Sequence, residues 1–265
     1  SFTDLGPATY TVRVINNTVL SARTGAVATL WPVQTWRVDA SSGTVLADPN
    51  AVGGQNPAAQ DAAANTTSAS LASLTAGNLT PQSTALVKAS TGTISGVDFG
   101  FNFSTIVNTN DSGQGSLRQW MTNVNTLGGQ AALAQAGYGR TVTGASMPLP
   151  AGVESTVFMI PSGSAVPGQR AGLPSPLTGG VAVIVVSSAL PTISPANVAL
   201  DATSQTANVG DTNPGVMGPG GTVGVSALAL PQLQKPELQL QPSAGAYNTI
   251  SYGLRVDGAN SRIRG

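Results

Sequence analysis

Residues 106–127 read IVNTNDSGQGSLRQWMTNVNTL, and this stretch predicts one amphipathic helix that follows a polar turn. Ser116 stands where a helix N-cap is expected, Gln119 completes a capping box, and Gly128 follows as a stop signal. The sequence therefore predicts an α-helix over residues 117–127. Its apolar side chains recur at helical spacing and form one stripe, made by Leu117, Trp120, Met121, Val124 and Leu127.

Outside this helix, the pattern of the chain predicts β-strands. Alternation of apolar and polar residues is clearest over residues 96–103 (GVDFGFNF), where every second residue is apolar. We therefore expect a mainly β fold with an N-terminal β-sandwich over residues 1–104 and a second domain over residues 105–265. Further strands are predicted at residues 8–15, 26–33, 35–38, 84–90, 157–160, 181–186, 198–200, 223–230, 237–240, 250–256 and 261–264.

The composition excludes several classes of function. Eleven Lys and Arg residues balance 11 Asp and Glu residues, so the 265-residue chain has no net charge with which to bind nucleic acid. The sequence contains no His and no Cys, which removes the usual ligands of zinc, haem and iron–sulfur clusters and the bases of Ser–His and Cys–His catalysis. No apolar run approaches the ~18 residues that a transmembrane helix needs, so we do not expect a membrane-spanning protein.

Two groups of motifs resemble large bacterial secreted and cell-surface proteins that carry right-handed parallel β-helices. Residues 107–119 (VNTNDSGQGSLRQ) resemble the strand–turn–helix cap that opens these β-helices, and residues 200–206 (LDATSQT) resemble its second signature. Three later segments resemble the first coils of such a β-helix: residues 236–240 (PELQL), 252–256 (YGLRV) and 261–265 (SRIRG). The resemblance implies that residues 105–265 form the cap and the first coils of a β-helix.

The first domain resembles the immunoglobulin-like modules of the same surface proteins. The resemblance is carried by residues 96–102 (GVDFGFN), which are similar to the phrase that closes such modules. The acidic signature that normally opens them is not found near the start of the chain, so the resemblance implies a sandwich without its first strand. The chain also begins without Met, and we expect it to be a processed or excised piece of a longer protein.

Two polar turns offer the oxygen ligands that calcium prefers. One contains Asn110 and Asp111, and the other brings together Asp201, Asp211 and Asn213. Both sequences favour turns that need no metal, and the first is typical of an Asx-turn that leads into the helix cap. We expect no cofactor other than calcium at these turns.

The acidic residues do not predict an active site. None of them pairs at short spacing on a strand face, as a glycosidase would require, and we therefore expect no catalytic residues and no enzymatic activity. The candidate carboxylates are Asp98, Asp111, Glu154, Asp201, Asp211, Glu237 and Asp257.

The sequence favours a non-enzymatic, structural or adhesive protein that is secreted or attached to the cell surface. We expect it to form a homo-oligomer or filament in which a strand from one subunit completes an open β-edge of its neighbour. The subunit contact is expected at Tyr252, Leu254, Val256 and Ile263. The alternative is a carbohydrate-binding or carbohydrate-cleaving β-helix protein with a glycan partner. A soluble intracellular binding domain fits this composition least well.

Overall fold

The computed structural model describes residues 2–60, 82–90, 92–135 and 149–265, and it is mainly β, as predicted. Its α-helices are α1 (Leu117–Leu127) and α2 (Thr203–Val209), and short 3₁₀ turns occupy Asn16–Thr18 and Ala244–Ala246. The strands are β1 (Ala8–Arg13), β2 (Val33–Asp39), β3 (Leu46–Asp48), β4 (Thr84–Ala89), β5 (Phe99–Asn102), β6 (Thr105–Ile106), β7 (Glu154–Ser155), β8 (Val157–Phe158), β9 (Ala182–Val186), β10 (Val198–Asp201), β11 (Val216–Met217), β12 (Thr222–Val223), β13 (Leu228–Ala229), β14 (Leu233–Gln234), β15 (Leu238–Pro242) and β16 (Arg262–Arg264).

The first part of the chain forms two small antiparallel sheets. One pairs β1 with β4, and the other has the order β3–β2–β5. A bridge between Ala40 and Val87 joins the two sheets. The strand predicted at residues 26–33 is wrong, because these residues turn and β2 begins only at Val33. Pro32 has no N–H to give to a ladder, and its carbonyl instead accepts a hydrogen bond from the Gln114 side chain at 3.0 Å.

Helix α1 has the bounds that the sequence predicts. The Ser116 hydroxyl accepts a hydrogen bond from the Gln119 amide at 3.1 Å, and the Gly128 amide closes the helix on the Val124 carbonyl. The apolar stripe is buried, and most of it belongs to a core cluster with residues of β6, β8, β9 and β10. The helix therefore covers the apolar interior between these strands.

Outside residues 216–234, the second part of the chain pairs its strands in parallel. One ladder has the order β7–β10–β16, a second pairs β9 with β15, and a single parallel bridge joins Ile193 to Val256. The chain thus passes along these ladders twice and begins a third pass at β16. We call residues 154–197 the first pass and residues 198–261 the second pass.

Helix α2, which the sequence analysis did not predict, covers the free edge of β8. The opposite edge of β8 pairs in parallel with β6. The Phe158 amide donates to the Ser204 hydroxyl, and the Asn208 side chain donates to the Phe158 carbonyl. The Gln205 side chain accepts from the Ile160 amide at 2.9 Å and donates to the Ile160 carbonyl at 2.8 Å. Side chains of α2 therefore take the place of a neighbouring strand.

Two predicted strands of the second pass are not continuous strands. The one predicted at residues 223–230 is a hairpin in which β12 pairs with β13, because the chain reverses through Gly224 at φ +75° and Ala227 at φ +48°. A second pair, β11 with β14, extends the same hairpin, and we call residues 216–234 the arm. The strand predicted at residues 250–256 contributes only the bridge at Val256.

Contacts cross the expected domain boundary at residues 104 and 105. The Arg23 guanidinium lies 2.5 Å from the buried Glu154 carboxylate and also donates to the Leu127 carbonyl at the end of α1. The second oxygen of Glu154 accepts from the Ser104 hydroxyl. A second core cluster also spans the boundary and contains Val33, Val52, Val107, Val157 and Met159. The two parts of the chain thus share a core.

Candidate functional site: the open end of the parallel ladders

The apolar interior of the second pass is less covered than that of the first. Ile184 and Ile193 of the first pass are 3% and 1% exposed, and Leu200 at the start of the second pass is 6% exposed. Their register partners in the next strand along are Leu240, Val256 and Ile263, and Ile263 is 52% exposed while the other two are half-buried. We call this surface the open end, and its residues are Leu238, Leu240, Ile250, Leu254, Val256 and Ile263.

Strand β16 forms the outer edge of the three-stranded parallel ladder. It pairs with β10 through Ala199–Arg262, Leu200–Ile263 and Asp201–Arg264, and all three of its residues are exposed. Within the described part of the chain, its other side has no strand partner. The Arg264 guanidinium lies 4.0 Å from the Asp201 carboxylate, so one weak ion pair joins β16 to β10.

The opposite end of the ladders is closed. The Gln135 side chain donates to the Ser155 carbonyl at 2.7 Å and accepts from the Ser155 amide at 2.9 Å, which satisfies the outer edge of β7. Beside it, the Val107 amide donates to the Gly115 carbonyl in the turn that leads into α1. In the described residues, the Gln135 side chain thus covers the edge of β7, and α1 covers the apolar interior beside it.

The two passes are held in register where their turns meet. The Asp257 amide donates to the Ile193 carbonyl at 2.9 Å, and the Asn197 amide donates to the Ala259 carbonyl at 2.9 Å. Gly258 approaches so closely that a Cβ there would lie 1.9 Å from the Pro195 carbonyl oxygen. Only glycine fits at this position, and the second pass therefore stacks directly on the first.

The structure places the predicted contact residues at or beside the open end. Leu254 and Val256 pack half-buried against the main core, and Ile263 lies on β16. Tyr252 is half-buried, with the Arg255 guanidinium 5.9 Å from its ring centroid. A hydrogen bond from the Arg255 guanidinium to the Asp257 carboxylate, with the charge of that carboxylate, raises the pKa of Arg255. Sequence reasoning missed Leu238, Leu240 and Ile250, although the alternation in residues 237–240 was a signal for the first two.

The first calcium candidate, Asn110 with Asp111, is tied to protein groups. The Asp111 carboxylate lies 2.7 Å from the Arg118 guanidinium and accepts hydrogen bonds from the Ser187 amide and hydroxyl. Burial raises the pKa of Asp111, but the hydrogen bonds from Ser187 and Arg118 outweigh it, and the pKa lies below its usual value. The Asn110 side chain donates to the Ala58 carbonyl.

The second candidate combines Asp201, Asp211 and Asn213. The Asp201 carboxylate accepts from the Thr203 amide and hydroxyl at the start of α2. The Asn213 side chain donates to the Pro236 carbonyl at the base of the arm, and Asp211 is exposed. Over the residues that the structure describes, no group of three or more His, Cys, Asp or Glu side chains is placed to hold a metal ion.

Comparisons with protein-family models, with curated proteins and with solved structures found no match to this chain. None of the described helices has the length and apolar character needed to cross a membrane.

Proposed function

We propose that this protein is a non-enzymatic structural segment of an extracellular surface fibre, and that it joins further β-structure through its open end. In this proposal the first part is an immunoglobulin-like sandwich, and the second part is the capped beginning of a parallel β-helix. The observation that carries the proposal is the half-covered apolar layer beside the unpaired edge of β16.

The chemistry of the open end favours β-structure as its occupant. An unpaired strand edge offers a row of backbone donors and acceptors that a further strand satisfies. Beside that edge, Leu238, Leu240 and Val256 continue the apolar columns of the first pass. A further parallel strand layer would therefore gain backbone hydrogen bonds and bury apolar surface in one step.

The surface composition supports an extracellular setting. Only 8% of the residues are charged, against about 25% in ordinary soluble domains. The motifs at residues 107–119 and 200–206 resemble secreted and cell-surface proteins, which favours the same setting.

Mutation of the open end tests the proposal directly. We expect the wild-type chain to form polymers and the Ile263→Asp variant to form none, because the new charge would be buried under the next strand. Val185→Asp is the matched control, because Val185 lies in β9 of the first pass and is 39% exposed. Removal of residues 252–265 should have the same effect as Ile263→Asp. Negative-stain microscopy and sedimentation velocity measure the outcome, and polymers of normal length in either open-end variant would refute the proposal.

A second candidate function, carbohydrate binding or cleavage, is favoured by one aromatic pair. The rings of Phe99 and Phe101 stack 6.5 Å apart on β5, and both are half-exposed. Such a pair could form an apolar platform for a sugar ring. A glycan array and a reducing-sugar assay test this function, with Phe99→Ala as the variant and Phe2→Ala, which alters an exposed phenylalanine elsewhere, as the control. Binding or cleavage that is lost only in Phe99→Ala would favour the carbohydrate function.

A further inference from the structure

The open end presents a definite pattern of charge to an incoming strand. Ile263 lies in register with the buried Leu200 and continues its apolar column, while Arg262 and Arg264 lie on the opposite face of β16. Arg264 has a weak ion pair with Asp201, whereas Arg262 has no carboxylate partner among the described residues. A complementary strand therefore carries an apolar residue beside Ile263 and an acidic residue beside Arg262.

Residues 2–6 (FTDLG) have this pattern, and in the described structure they pair with no strand. They precede β1, which begins at Ala8, and they lie outside the sheets. Phe2 is 79% exposed and Leu5 is 48% exposed, and a Cβ at Gly6 would meet nothing within 4 Å. The backbone of this segment is therefore available to another strand.

The local backbone favours a change to an extended strand over these residues. Asp4 has φ +59°, in the left-handed region that is unfavourable for a residue with a Cβ. In a parallel strand φ lies near −120°, so strand pairing would remove this strain. Pro7 has no N–H to donate, and the strand would therefore end at Gly6.

Other described segments that place an acidic residue beside an apolar one already belong to ladders. The Asp98 carbonyl accepts a hydrogen bond from the Val38 amide. The Glu237 carbonyl accepts one from the Ala182 amide, and Asp201 lies in β10. The exposed segment at residues 2–6 is free of such pairing, and this difference selects it as the donor.

We propose that residues 2–6 of a second copy form the strand that joins the open end, parallel to β16. With Leu5 beside Ile263, Asp4 lies beside Arg262, and the small Gly6 lies beside the remaining arginine of β16. This inference rests on the proposed fibre and names the segment by which a neighbouring copy joins it. Because the two surfaces are different parts of the chain, the contact is heterologous and can repeat from copy to copy.

Introduced cysteines test the register, because the sequence contains no Cys of its own. Paired residues of neighbouring strands lie about 4.8 Å apart, within the range that a disulfide spans. We expect the Leu5→Cys/Ile263→Cys chain to form covalent trimers and longer multimers on mild oxidation, seen on a non-reducing gel. Leu20→Cys/Ile263→Cys is the control, since Leu20 is 60% exposed and lies outside the donor segment. Equal yields of multimers from both chains would overturn the register.

Charge reversal tests the pair between Asp4 and Arg262. Asp4→Arg and Arg262→Glu should each raise the critical concentration for polymers by about tenfold, because like charges would meet. The double variant Asp4→Arg/Arg262→Glu should return it to within about threefold of wild type. Asp211→Arg/Arg262→Glu is the matched control and should not restore assembly, since Asp211 is an exposed acid elsewhere. A double variant that assembles no better than the single variants would overturn the pair.

Two outcomes separate this inference from the proposed function. If Ile263→Asp abolishes polymers but Leu5→Asp and Asp4→Arg leave the critical concentration unchanged, the fibre stands and residues 2–6 are overturned as its donor strand. If the wild-type chain stays monomeric at roughly 1 mM, the weak limit of specific association, the fibre and this inference are both overturned. The altered positions are exposed, so the circular dichroism of the unassembled variants should match that of wild type.

Discussion

Replacement of Gln205 by Met tests whether the side chains of α2 replace a strand at the edge of β8. Gln205 is fully buried, and its amide group makes both of the hydrogen bonds that a neighbouring strand would make to Ile160. Methionine has a similar volume, so the substitution removes the hydrogen bonds without opening a large cavity.

The cost follows from the two backbone groups that the substitution leaves without a partner. A buried donor or acceptor that loses its hydrogen bond costs about 1–3 kcal/mol. The amide and the carbonyl of Ile160 are both affected, and the apolar Met side chain offsets part of the loss. We therefore expect Gln205→Met to lower the free energy of unfolding by about 3 kcal/mol.

Urea unfolding followed by tryptophan fluorescence measures this loss, because Trp120 is buried in the core next to β8. Gln239→Met is the matched control. Gln239 is exposed and bonds only to the Gln241 side chain, so its replacement should cost less than about 0.5 kcal/mol. Hydrogen exchange at the Ile160 amide should accelerate in Gln205→Met alone. A Gln205→Met protein as stable as the control would refute the view that α2 completes this sheet.

Three further substitutions test the closed end, the turn contact and the interior. Asp111→Asn should cost about 1–2 kcal/mol at neutral pH, because it weakens the bonds from Arg118 and Ser187. Folding lowers the pKa of Asp111, so its contribution to stability is present above about pH 4 and is lost as the pH falls through the lower folded-state pKa. A difference in unfolding free energy between wild type and Asp111→Asn that persists in acid would contradict this. Gly258→Ala should speed hydrogen exchange in the second pass but not in α1, whereas Gly253→Ala, where a Cβ meets nothing within 4 Å, should have no such effect; equal exchange in both variants would contradict the close contact. Trp120→Ala should cost about 3–5 kcal/mol in urea unfolding, and a loss below 1 kcal/mol would contradict its place in the core.

The sequence predicted the elements whose structure is determined by residues close together in the chain. The helix at residues 117–127 was predicted correctly because its cap, its apolar stripe and its terminal glycine all indicate the same structure. The alternation at residues 8–15, 84–90 and 181–186 likewise corresponds to β1, β4 and β9. In these segments, the local sequence pattern favours the same secondary structure as the surrounding core.

The remaining elements depend on contacts between distant residues. Helix α2 is short, and its Thr, Ser and Asn residues have low helix propensity. It forms where Ser204, Gln205 and Asn208 bond to the edge of β8, some 45 residues earlier in the chain. Residues 223–230 of the arm were predicted as one strand because they alternate, and only Gly224 indicated the reversal. At the open end, the alternation indicated which residues face inward but not that β16 has one strand neighbour, β10, in the described structure.

Because α1 and the Gln135 side chain cover one end of the parallel ladders, the two ends of the stack are different. New strands can join at β16 but not at β7, whose outer backbone groups are already satisfied. In the proposed fibre, each subunit that pairs with β16 would have the same orientation as the one before it. The proposed fibre would therefore be polar, with two chemically different tips.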